Sequence, residues 1–101
     1  MKLVHSYLIQ VIVIPSKSQE IIEAVKKVSD FKYGKYSWVY WQSEAGTEHF
    51  DDEQNPTVKL EFSIYKSYEL LTEVLESIIS VHPWREPVIR VTEVQETRTG
   101  K

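Results

Sequence analysis

The chain of 101 residues contains no cysteine, which removes disulfides, thiolate nucleophiles and cysteine-based zinc sites together and fits a reducing cytoplasm. Glycine is scarce, with three in all, and neither a phosphate-cradling P-loop nor a dinucleotide-binding fingerprint occurs. The nucleophile elbow G-x-S-x-G and the zinc motif H-E-x-x-H are also missing, so the common sequence marks of catalysis are absent. Basic charge is in deficit: 12 Lys and Arg against 15 Asp and Glu give a formal net charge of -3. Nucleic acid or an anionic membrane is therefore not expected as a partner, because phosphate binding needs a basic stripe and these lysines are scattered. Long apolar runs are lacking too. The opening "MKLVHSYLIQVIVIP" is interrupted by His5, Ser6 and Gln10, shows no small-residue cleavage site, and is too short to span a bilayer. A buried β-strand closed by Pro15 is the better reading.

What is present, 42% hydrophobic and 27% charged residues, suits one globular domain over residues 1-101 with a single core. A domain this small buries a modest fraction of its surface, so association with copies of itself is expected. After the first strand, "SKSQEIIEAVKKVSDF" offers Ser16 and Gln19 as a capping box and Ile21, Ile22, Val25 and Val28 at helical spacing. "YSWVYWQ" predicts an aromatic strand with Tyr36, Trp38 and Tyr40 on one face. "TVKLEFSIY" alternates Val58, Leu60, Phe62 and Ile64 against polar residues, with the acidic "SEAGTEHFDDEQNP" as the connection between the two strands. "SYELLTEVLESIISV" predicts a helix capped by Ser67, with Leu70, Leu71, Val74, Leu75 and Ile78 as its apolar stripe, and "PVIRVTEVQETR" a last strand. The order β-α-β-β-α-β is that of an α+β ferredoxin-like sandwich, an antiparallel sheet with two helices on one face.

Between the second helix and the last strand lies "SVHPWREPVIRV". A residue before proline is pushed out of the helical region, so His82 and Glu86 are both expected to be extended and the helix to stop near Val81. The turn is stiff, and it holds Trp84, Arg85 and Glu86 in fixed directions. His82, at a helix C-terminus, would gain from the dipole when protonated. Trp84→Ala is expected to cost more stability than His82→Ala, since a packed Trp is worth about 3 to 5 kcal/mol and a helix-terminal His at most about 2 kcal/mol.

"HPWREP" resembles the H-P-aromatic-x-x-P turn of CutA-like proteins and, more closely, the "HPYEEP" turn of the Nif-three-like family's inserted domain and its stand-alone relatives. Pro15, Ala24, Val25, Lys26, Gly34, Tyr36, Trp41, Gly46, Thr47, Phe50, Asn55 and Pro56 follow the order and rough spacing of that pattern, from about Ile9 to Val91. Arg85 and Glu48 depart from it, standing where an acidic residue and a glycine are usual. Full-length Nif-three-like proteins carry a two-metal, hydrolase-like site on flanking domains that have no counterpart in these residues. The resemblance to CutA-like trimers and PII-like ligand sensors implies an oligomeric sensor instead.

Two clusters are candidate sites. His82, Trp84, Arg85 and Glu86, with Tyr36 and Trp41, would bind a small ligand. His49 and His82 with Glu48, Asp51 and the adjacent Asp52 offer imidazole and carboxylate ligands to a borderline divalent ion such as copper or zinc. The bland reading of each is a helix-capping histidine and a solvated acidic loop. His5, in the core-strand region, is read as structural. The expected function is a non-catalytic, cytoplasmic homo-oligomer, a trimer by preference, that senses a small ligand or divalent metal. A structural or protein-interaction module stands behind it, and a hydrolase with a site between subunits stands third.

Overall fold

Alternation of period two puts every second side chain of a strand on the same face, and in this chain two strands use it to build one core. The computed structural model describes all of Met1–Lys101. Strand β1 (Lys2–Val13) turns Ile9, Val11 and Val13 to one side, and β4 (Glu53–Tyr65) turns Val58, Leu60, Phe62 and Ile64 to the same side. The two pair antiparallel, with Val11 opposite Leu60 and Ile9 opposite Phe62. Helices α1 (Ser18–Lys26) and α2 (Tyr68–Val81) cover that side with Ile21, Ile22 and Val25 and with Leu71, Val74 and Ile78. Truncating any of these buried aliphatics to Ala would cost about 2 to 5 kcal/mol where Leu or Ile is removed. Phe31 closes the core against Phe62, their ring centroids 5.0 Å apart.

Strand β5 (Val88–Arg98) adds to the free edge of β1 along nearly its whole length, from Lys2 opposite Arg98 to Ile12 opposite Val88. On the other side of β4 lie two short strands, β2 (Trp41–Gln42) and β3 (Gly46–Phe50). The sheet order is β2-β4-β1-β5, with β3 also on β4. This is the expected α+β ferredoxin-like sandwich with both helices on one face.

Four details depart from the sequence reading. Ser16 and Gln19 form no capping box: Pro15–Lys17 make a 3-10 turn that leads into α1, Ser18 Oγ donates to the Pro15 carbonyl at 3.0 Å, and Gln19 bonds Glu23 instead. Proline suits the first position of such a turn, because its missing N–H has no partner to lose there. Val28 falls beyond the helix end and is exposed.

The aromatic strand is the larger correction. Only Trp41 and Gln42 enter the sheet, because the segment before them is hooked onto the end of α1's loop: Trp38 N–H donates to the Asp30 carbonyl at 2.8 Å and Val39 N–H to the Phe31 carbonyl. Trp38 takes φ 56°, a left-handed conformation that a bulky residue adopts only when its surroundings impose it. Tyr33 and Tyr36 bond each other across a tight turn whose corner, Gly34, has φ 61°. Tyr36, Trp38 and Tyr40 therefore form no ladder. The acidic connection, in turn, is strand: β3 and the first part of β4 make a hairpin around Asp51 and Asp52, with Phe50 opposite Glu53. Since β1 reaches only to Val58, this hairpin projects past the sheet as a two-stranded arm, and the molecule extends to 48 × 24 × 21 Å. No helix is long and apolar enough to cross a membrane.

Candidate functional site

The turn after α2 forms as its prolines dictate. The helix stops at Val81, and His82 is extended with φ -68° and ψ 132°. Its ring is then drawn inward. His82 is 8% exposed, with Nε2 2.8 Å from the Ile12 carbonyl, and Nδ1 accepts the Trp84 backbone N–H at 3.2 Å. One neutral tautomer, with the hydrogen on Nε2, satisfies both contacts. Half-buried Trp84 tilts against the imidazole, its ring centroid 5.1 Å away. Arg85 and Glu86 are exposed.

With both nitrogens engaged, His82 has no lone pair to offer a metal. His49, Glu48, Asp51 and Asp52 sit on the arm, and the tip of that arm lies about 20 Å beyond Lys59, the strand partner of Ile12. Glu48 and His49 are successive strand residues, so they point to opposite faces. Nowhere in the chain do three His, Asp or Glu side chains converge in a metal-ligand group. A copper or zinc site on the arm would need ligands from a second copy. One oxygen of Glu48 is sealed from solvent without a hydrogen-bond partner.

Tyr36 and Trp41 stand on other elements than the His82 turn. Tyr36 belongs to the Gly34 turn and is 65% exposed, with Lys35 reaching over its ring at 5.6 Å. Trp41 is 69% exposed and stands on β2 opposite Glu61. Glu61 lies opposite Gln10, and Gln10 opposite Arg90, so the four make one row across the sheet on the side away from the helices. Gln10 Nε2 donates to Glu61 Oε1 at 2.6 Å, and Lys59 Nζ lies 3.2 Å from the same oxygen. The Gln10 bond, opposed by partial burial and helped by Lys59, holds the Glu61 carboxyl below its ordinary value of 4.5.

On this open face, where the Tyr33–Trp41 loop folds toward the sheet, lies a groove of about 190 Å³ whose walls include Leu8, Tyr33, Tyr40, Trp41, Glu61 and Glu96. Sequence reasoning missed it, since Leu8, Glu61 and Glu96 look like the wet side of ordinary strands. The alternation of "TVKLEFSIY" did place Glu61 on the uncovered face.

A sheet covered by helices on one side and bare on the other, with a projecting hairpin, defines a class: small ferredoxin-like domains that present a sheet face. No family model and no curated protein matches the sequence. Solved structures do match. A Bacillus cereus protein related to NIF3 superposes with a TM-score of 0.79 at 22% identity, over 93% of this chain and 26% of that one, so the chain spans about a quarter of that protein. CPII from Thiomonas intermedia K12, a nitrogen regulatory PII-like protein bound to ADP, AMP and bicarbonate, gives 0.72 at 14% identity over 96% and 98% of the two chains. CutA1 from Oryza sativa gives 0.72 at 11% over 94% and 84%. The chain has the fold these proteins share, as the motifs of the final turn and the arm suggested.

Proposed function

We propose that this chain forms a homo-oligomer, a trimer by preference, that binds a small ligand and acts as a non-catalytic regulatory protein of the cytoplasm. The observation that carries this reading is the uncovered sheet face, where Trp41 at 69% and Tyr65 at 67% exposure flank half-buried Leu8, Ile12, Val88 and Val94. Apolar area of this kind on a small domain is normally covered by a partner. The outer edge of β5 adds a row of backbone groups with no neighbouring strand. Neighbours of the same fold support the regulatory part, since CPII is a nitrogen regulatory protein seen with ADP, AMP and bicarbonate, and a relative in fold from Thermus thermophilus is described as a putative PII-like signalling protein.

Light scattering at tens of micromolar protein tests the assembly. A mass of several subunits is expected, and a mass near that of the single 11.9 kDa chain would overturn the reading.

A further inference from the structure

Helix α2 carries more apolar surface than its packing on the sheet uses. A helix lying on a core needs an apolar arc of about 100°, and in α2 the buried Leu71, Val74 and Ile78 supply it. A second stripe, Tyr68, Thr72, Leu75 and Ile79, follows one flank of the helix at spacings of four, three and four. Leu75 is half-buried against the core, whereas Tyr68 is 76% exposed and Ile79 56%. The opposite flank faces α1, since Val81 shares a hollow with Gln19, Glu23 and Lys27, and Leu70 shares one with Phe31. The Tyr68–Ile79 stripe therefore looks away from α1, toward β5.

The bond between His82 and the Ile12 carbonyl fixes the height of this stripe. A rise of about 1.5 Å per helical residue, against about 3.3 Å per strand residue, sets Ile79 level with Val11 and Leu75 level with Ile9. The β5 partners of Val11 and Ile9 are Ile89 and Val91, and paired residues point to the same side of a sheet. Ile89 is half-buried and Val91 exposed. The helix layer ends at α2, so Ile79, Leu75, Ile89 and Val91 line an apolar strip between that helix and the sheet edge. Charge indicates what covers it. α2 holds Glu69, Glu73 and Glu76 and no Lys or Arg, and none of the three takes part in an ion pair. α1 differs, because Lys17 pairs with Glu20 and Lys26 with Glu23. Glu69 and Glu76 stand three residues before Thr72 and Ile79, so they border the stripe.

We propose that the flank between α2 and β5 docks a basic amphipathic helix of a partner protein, its apolar face on Ile79, Leu75, Ile89 and Val91 and its lysines or arginines beside Glu69 and Glu76. Such a helix would lie as a third member of the helix layer, about 8 to 10 Å from α2, the distance at which packed helices interdigitate. Apolar anchors at helical spacing supply affinity, and opposite charges steer and orient the partner. A second copy of the chain fits less well, since it carries a net charge of -3 and pairs Lys17 and Lys26 with its own glutamates. This flank lies on the helix side of the sheet, apart from the open face assigned to assembly.

Fluorescence anisotropy of a labelled synthetic helix of leucine and lysine, with the leucines along one face, titrated with the intact chain at physiological ionic strength, tests this. Saturable binding is expected, weakened about tenfold or more in Ile79→Asp, in the pair Glu69→Lys and Glu76→Lys, and when the lysines of the probe are replaced by glutamates. The pair Glu20→Lys and Glu23→Lys on α1 changes net charge equally and is expected to leave binding within about twofold, because distant exposed charges are screened. Equal weakening by the two pairs would mean attraction to net charge alone and would overturn the proposal. An affinity unmoved by Ile79→Asp, or no saturation at hundreds of micromolar chain, would do the same. Tyr68→Ala, at a more exposed position of the stripe, is expected to weaken binding as well and serves should Ile79→Asp fail to fold. Light scattering of the same samples separates this proposal from the assembly. A fall in subunit number in Ile79→Asp would mean that a second copy covers the flank and would overturn the partner helix, an intact oligomer that ignores the probe sinks the partner helix alone, and a monomer that binds it sinks the assembly alone.

Discussion

Two short aromatic segments, the His82–Pro87 turn and the Tyr33–Trp41 loop, hold much of the chain's unusual chemistry and use it in opposite ways. In the turn, the imidazole is engaged by the chain itself, one nitrogen by the Ile12 carbonyl and the other by the Trp84 N–H, so the end of α2 is tied to β1. In the loop, the backbone is tied down by its own carbonyls and amides, at Asp30, Phe31, Tyr33 and Tyr36, and the rings are left facing solvent and the groove. A helix end that must join a strand leaves backbone groups to be satisfied, and a histidine there is readily consumed. Side chains free to bind something else are found where the backbone has already satisfied itself.

The largest effect that could break this contrast is on stability. His82→Ala removes a buried ring and strands both the Ile12 carbonyl and the Trp84 amide, a loss of about 3 kcal/mol, or a fall in Tm of roughly 15 °C. Trp84 is only half-buried, so Trp84→Ala should cost less, about 1 to 2 kcal/mol. This reverses the order expected from the sequence, which gives Trp84 a packed position and His82 a merely electrostatic one. Thermal denaturation of the two variants decides it. Should Trp84→Ala melt lower than His82→Ala, the ring and not the hydrogen-bonded imidazole holds the turn.

The element order and most of the core could be read from the sequence because period two and period 3.6 report directly which side chains meet a buried face. Leu60, Phe62, Ile22, Val25, Val74 and Ile78 all lie where that periodicity puts them, and Ile9 and Val11 lie in the first strand, which reads as buried from its Val and Ile content. The prolines likewise stop α2 at Val81. The aromatic strand misled because β-propensity favours Trp and Tyr in strands, whereas the positive φ of Trp38 is imposed by tertiary contacts with residues 30 and 31. The acidic connection reads as a loop because a projecting arm needs no buried face, and without one its strands show no apolar alternation. The candidate site suffered from the same cause. Residue types suggested that His82 could ligate, but only the fold reveals that Ile12 offers it a carbonyl. The groove was not visible, since Glu61 and Glu96 lie far apart in sequence and meet the loop only through strand register.

A smaller effect sharpens the contrast from the groove side. Gln10 lowers the Glu61 carboxyl more than any other contact does, so in the folded state Glu61 gives up its proton more readily than in the unfolded chain. A carboxyl lowered on folding contributes stability that is fully present above its unfolded pKa and is lost as pH falls through the folded value. In Gln10→Leu, stability at neutral pH should drop by about 1 kcal/mol, the usual worth of one such bond. The gap from the parent chain should narrow as pH falls below the ordinary glutamate value of 4.5. Urea midpoints at pH 7 and near pH 3 measure it. A gap that stays constant with pH would mean that Gln10 acts through packing and leaves the charge of Glu61 untouched.

The smallest expected change in stability belongs to Trp41, and its smallness is the point. The indole is 69% exposed on a strand of two residues, so little buried area is lost when it is cut back to Ala. A surface truncation of this kind stays within about 0.5 kcal/mol, far below the loss expected for His82→Ala. That holds for the isolated subunit. If copies associate through the open sheet face, Trp41 is buried in the assembly, and association stabilises the folded state by mass action. The difference in Tm between Trp41→Ala and the parent chain should then be near zero in dilute protein and grow as concentration rises, whereas the His82→Ala deficit, which lies within one subunit, should persist at both ends of the range. Melting curves over a hundredfold range of concentration separate the two behaviours. A Trp41→Ala deficit as large as that of His82→Ala in dilute protein would place the indole inside the subunit's own packing and remove the contrast between loop and turn. A deficit that never grows with concentration would leave the open face uncovered and Trp41 free for the groove alone.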